Sequence, residues 1–105
     1  MADKRPIFVE IETLLASGSK APLEELEDTL TSGYAEALAL EAERWRLERR
    51  IAEVAALVGE GRGRGKTREL ANLAQRLTST DTDLSKLRGM LGSLRERAEE
   101  ARAAA

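Results

Sequence analysis

The chain has 105 residues, 42% of them hydrophobic and 34% charged, with a formal net charge of −2 and neither Cys nor His. That length allows one domain with a modest core, and the missing residue types exclude disulfides, thiolate or imidazole metal ligands, and thiol or imidazole catalysis. With one Trp, one Tyr and one Phe, any core must be built from Leu, Ala and other aliphatic side chains, which suits close helix packing.

Residues 1–21 form a short amino-terminal segment and loop. Glu10 and Glu12 interrupt its apolar residues before they reach signal-peptide length, and nowhere does the chain hold the roughly 18 consecutive apolar residues of a membrane span. A cytoplasmic protein without membrane contact is therefore expected. Ile7-Phe8-Val9-Glu10-Ile11 has local strand character, but Pro6 in a first turn followed by Ile7, Ile11, Leu14 and Leu15 fits one face of a helix. Helix is preferred, because a lone strand has no sheet to join. Ala16 to Ala21 then reads as a loop.

The first long helix is predicted over 22–58. Pro22 suits a first turn, and Glu24 and Glu25 complement the positive end of the macrodipole. Leu23, Leu26, Leu30, Gly33, Ala37, Leu40, Arg44, Leu47, Ile51, Val54 and Val58 follow one another at alternating spacings of three and four, the pattern of a coiled-coil seam. Thr29, Thr31, Ser32 and Gly33 together lower helix propensity, so a break near 31–33 is an open alternative.

Residues 59–65 alternate glycine with Glu60, Arg62 and Arg64 and read as a linker between antiparallel helices. The second long helix is predicted over 66–101, with 102–105 as a frayed tail. Its seam is Leu70, Leu73, Leu77, Thr80, Leu84, Leu87, Leu91, Leu94, Ala98 and Ala101. Thr80 with Asp83 has the look of a helix start, but the leucine register runs through it unbroken, which favours one helix.

Folding about the linker sets Leu70 beside Val54 and Val58, Leu77 and Leu84 beside Leu47 and Leu40, and Leu91 and Leu94 near Leu30. Tyr34, Leu38 and Trp45 fall on a second patch to one side of that seam, where a two-helix hairpin has nothing to cover them. Three explanations stand: the amino-terminal segment folds back with Phe8, Ile11, Leu14 and Leu15 over Trp45 and Leu38, the patch meets a second copy or another protein chain, or the aromatic is simply exposed to solvent. Arg44, a polar residue within the seam, either snorkels out or pairs with Glu41 or Glu48 of a partner helix and sets register. Tyr34, Leu38, Arg44 and Trp45 are therefore the candidate interface.

Other patterns resemble chemistry more weakly. Gly65-Lys66-Thr67 ends like a phosphate-binding loop, but position 60 holds Glu where that motif needs Gly, and no strand precedes it. Arg62, Arg64, Lys66 and Arg68 are a candidate anion-binding group: residues 61–77 hold five cations and one carboxylate, net +4, whereas residues 22–60 are net −6. Such a stretch can follow a nucleic-acid backbone, although no aromatic lies among the cations to stack a base. Glu10, Glu36 and Glu43 read as a solvated face, since the dinuclear sites of helical bundles also need a His. Along the first long helix, Arg50 with Glu53, Arg49 with Glu53 and Arg44 with Glu48 stand at pairing distance.

In size and outline the hairpin resembles small secreted helical proteins whose turn carries a Trp-x-Gly signature. The turn here has no Trp, and Trp45 lies inside a helix, so no family membership follows. The reading is an all-α chain: two long amphipathic helices in an antiparallel coiled-coil hairpin, with a short amino-terminal helical segment, assembling into a helical bundle. The function expected is a non-catalytic protein-interaction module, either self-associating, with a dimer favoured, or a small adaptor or chaperone. It needs no metal and no cofactor. Polyanion or nucleic-acid binding through the Gly/Arg loop is the alternative.

Overall fold

The computed structural model describes residues 6–104; residues 1–5 of the amino-terminal segment and residue 105 of the tail lie outside the described residues. The fold is all-α, with a short helix and two long ones: α1 (Pro6–Ala16), a 3-10 turn (Gly18–Lys20), α2 (Leu23–Gly59) and α3 (Lys66–Ala104). Residues 7–11 are helical, as the apolar spacing implies, and α3 runs through Thr80 and Asp83 without interruption.

α2 runs unbroken through residues 31–33, so the open alternative of a break there is not realised. The weak propensity of Thr31 and Ser32 is a cost of tenths of a kcal/mol each, and packing outweighs it. Thr31 Oγ1 also donates to the Glu27 carbonyl one turn earlier at 3.1 Å. At the start of α2, Pro22 lies just outside the helix and its carbonyl accepts the first helical bond from the Leu26 amide at 3.1 Å.

Two compact units divide the chain, Met1–Leu38 with Ser85–Ala105, and Ala39–Leu84. In the first, α1 packs on the opening half of α2 and the closing half of α3. Ile7, Phe8, Ile11 and Leu14 are buried with Leu26, Leu30 and Ala37 of α2 and with Leu87, Leu91, Leu94 and Ala98 of α3. Each large side chain is worth about 1.5–3 kcal/mol on burial. That is enough to hold a short helix which would be marginal in isolation.

The second unit is a helical hairpin. Leu47, Val54 and Leu73 form its core, with Ile51, Leu70 and Leu77 packed against them; Leu40 and Leu84 are also buried. Val58, placed by its spacing in the seam beside Leu70, is 40% exposed instead. The helix is ending there, and what covers part of Val58 is the turn: a Cβ added to Gly63 would come within 2.6 Å of the Val58 Cα.

The turn itself is a Schellman motif. Gly61 has a φ of 74°, its amide donates to the Val58 carbonyl at 3.1 Å, and the Arg62 amide donates to the Leu57 carbonyl at 2.8 Å. These bonds satisfy carbonyls that the last turn of α2 would leave unpaired. The alternating glycines thus serve backbone geometry at the end of one helix and the start of the next.

Candidate interaction surfaces

In the first unit, Tyr34 is 42% exposed and Leu38 68% exposed; in the second, Trp45 is 59% exposed. The alternative in which Phe8, Ile11, Leu14 and Leu15 cover these side chains is therefore not realised among the described residues. The apolar face of α1, Ile7, Phe8, Ile11 and Leu14, is buried inside the first unit together with the seam residues of α2 and α3. Tyr34 is tied down at its polar end, where its hydroxyl accepts from Arg95 Nη1 at 3.1 Å.

Trp45 belongs to a row. Ala42, Trp45, Arg49, Ala52 and Ala56 are all exposed, and they follow one another at three, four, three and four residues, so they lie along one face of α2 turned away from the hairpin core. Ala42, Ala52 and Ala56 are absent from the sequence-derived candidates, although the signal was available as a second stripe with the same spacing as the first. Alanine carries so little apolar weight that periodicity alone does not separate such a stripe from a solvated face. Arg49, which has an acidic neighbour at helical spacing, has its guanidinium 5.0 Å from the centre of the Trp45 ring, a cation–π contact worth about 0.5–1 kcal/mol at an exposed site.

Arg44 is half-buried and finds its partner within the chain: Nη1 donates to Asp81 Oδ1 of α3 at 3.4 Å. The expected pairing with Glu41 or Glu48 of a partner helix is not needed to explain it. One residue earlier, Glu43 accepts from the buried Thr80 hydroxyl at 3.3 Å, so Glu43 belongs to the helix interface and not to a solvated face. Both polar seam positions of the hairpin are thus satisfied across it.

The Gly/Arg cations are dispersed. Arg62 donates to Glu60 at 3.4 Å, Lys66 donates to Glu69 at 3.3 Å, and Arg64 and Arg68 are exposed. Glu69 also accepts from Nε and Nη2 of Arg50 at 3.1 and 2.9 Å. Those hydrogen bonds, Arg50's first and Lys66's second, hold the Glu69 carboxyl below its ordinary range against a smaller opposing effect of burial, and the same contact raises Arg50. Arg68 borders an open hollow on α3 lined by Gly65, Glu69, Asn72, Leu73 and Arg76. Two of the four proposed anion ligands therefore already face carboxylates.

Among the described residues no three Asp or Glu side chains are grouped to hold a metal ion, and no helix is long and apolar enough to cross a membrane. No protein-family model, curated protein or solved structure matches the chain.

Proposed function

We propose that this is a non-catalytic helical module that acts by packing against another protein chain. The observation that carries the reading is the placement of the aromatics: of the chain's one Trp, one Tyr and one Phe, only Phe8 is buried, while Trp45 stands on an outward row with Arg49 and three alanines. Trp is costly to leave in water and is enriched at the centres of protein interfaces. The alanines beside it, Ala52 and Ala56, let a second helix approach closely.

The polyanion alternative has less support. The Gly/Arg turn has a structural reason for its glycines, and Glu60 and Glu69 occupy two of its cations. Interaction through Trp45 is tested by placing a photoreactive benzophenone side chain at position 45 in the cells that make the protein, with position 75, an exposed polar site on α3, as control. A discrete protein adduct from position 45 and none from 75 is expected. No adduct from 45 would overturn the proposal.

A further inference from the structure

We infer that the outward row of α2 in the second unit pairs with the same row of a second copy, antiparallel, about a two-fold axis passing between Arg49 and Ala52. This rests on the interaction reading above and commits it to one occupant. The row is lopsided in both size and charge. Its first part holds Ala42, Trp45 and Arg49, flanked by exposed Arg46 on one edge and Glu48 on the other; its second part holds Ala52 and Ala56, flanked by exposed Glu53 and Ala55.

A surface that is bulky and basic at one end, small and acidic at the other, complements itself in one orientation only. Antiparallel pairing lays each Trp45 over the partner copy's alanines and brings each Arg46 towards the partner copy's Glu53. Glu48, on the other edge, then meets Ala55. Parallel pairing would set Trp45 against Trp45 in the same layer and would bring Glu48 and Glu53 together, so crowding and like charge both oppose it. The length available, Ala39 to Gly59, is about 30 Å of helix, enough for several layers of contact.

The chain's own features make the test clean. Its single Trp reports directly on the contact, and its lack of Cys allows single-site cross-linking. On the full chain, sedimentation equilibrium over a wide concentration range should show a monomer–dimer equilibrium, and Trp45 emission should move to shorter wavelength as the dimer forms. Trp45→Ala should weaken dimerisation about thirtyfold or more with helix content unchanged. Arg46→Glu and Glu53→Arg should each weaken it several-fold, and the double variant should recover most of the loss.

Orientation is read by cysteine. Ala42→Cys should not cross-link to itself, since antiparallel pairing separates the two copies of position 42 by roughly 25 Å along the helix, whereas mixed Arg49→Cys and Ala52→Cys chains should cross-link to each other. Self-cross-linking at position 42 would overturn the antiparallel arrangement. A chain that stays monomeric throughout, while position 45 still gives adducts with a different protein, would overturn self-pairing and leave the interaction reading intact. Dimerisation indifferent to Trp45, Arg46 and Glu53 would place the contact elsewhere and overturn the inference.

Discussion

The side chain of Leu91 on α3 occupies the space that a Cβ on Gly33 of α2 would need, with Ile11 of α1 just beyond it, 3.7 Å from the same point. At Gly33 the three helices of the first unit therefore meet, and its lost helix propensity is offset by the burial of Leu91. An alanine there would gain about 1 kcal/mol of propensity but overpack a filled site at a cost of about 1–3 kcal/mol. Gly33→Ala is expected to be destabilising on balance in chemical unfolding, and a larger side chain more so, with the loss partly relieved in combination with Leu91→Ala. Gly89→Ala and Gly92→Ala, where nothing lies within 4 Å of the added carbon, should instead be neutral or stabilise by up to about 1 kcal/mol.

Arg97 holds the end of α1. Its Nη1 donates to the Gly18 carbonyl at 2.6 Å and reaches the Leu15 carbonyl at 3.5 Å, a cation set against the negative end of a helix. Arg97→Met should cost about 1–2 kcal/mol, the value of a charge-assisted hydrogen bond reduced for partial exposure. Hydrogen exchange should rise in residues 14–20 and stay unchanged in the turn at 60–65.

Glu69 introduces a pH dependence of known sign. Its carboxyl is held below the ordinary range by Arg50 and Lys66, so its contribution is present above the unfolded-state value and is lost as pH falls through the folded one. Wild type should lose stability on acidification across the carboxylate range more steeply than Glu69→Gln. The difference between the two urea midpoints should be largest near neutrality and shrink towards low pH.

Gly61 tests what the linker is for. At a φ of 74° any residue with a Cβ is strained, so Gly61→Ala should destabilise by about 1–2 kcal/mol, and Gly61→Asn by less, because Asn tolerates that region. Replacing Arg64 by Ser, which leaves the turn geometry alone, should have almost no effect on thermal unfolding. The reverse ranking would mean that charge, not backbone shape, governs the turn.

Much of this was legible in advance because it is local. The seam of α3 from Leu70 to Ala101 and that of α2 from Leu26 to Val54 follow from spacing, and the Gly59 to Gly65 break follows from backbone entropy and freedom at glycine. Leu70 with Val54, and Leu77 with Leu47, fall in one cluster as the seam register implies. Arg50 with Glu53, one of the pairs expected along α2, forms at 3.4 Å. Arg44 and Arg49 were harder, since each has candidate partners within a turn on its own helix. Asp81 and the Trp45 ring supply contacts that helical spacing does not rank.

By itself, the sequence determined that the chain is helical, where the helices run and which stripe of each faces inward, because propensity, capping and periodicity act over a few residues. Only the tertiary structure decided that α1 spends its apolar face at Gly33 and Leu91, that Trp45 is exposed, that Gly33 is a contact and not a kink, and that Arg44 is satisfied by Asp81. Those outcomes depend on which surfaces meet across a large separation in the chain, where several pairings are equally compatible with the pattern and the amount of surface each one buries selects among them.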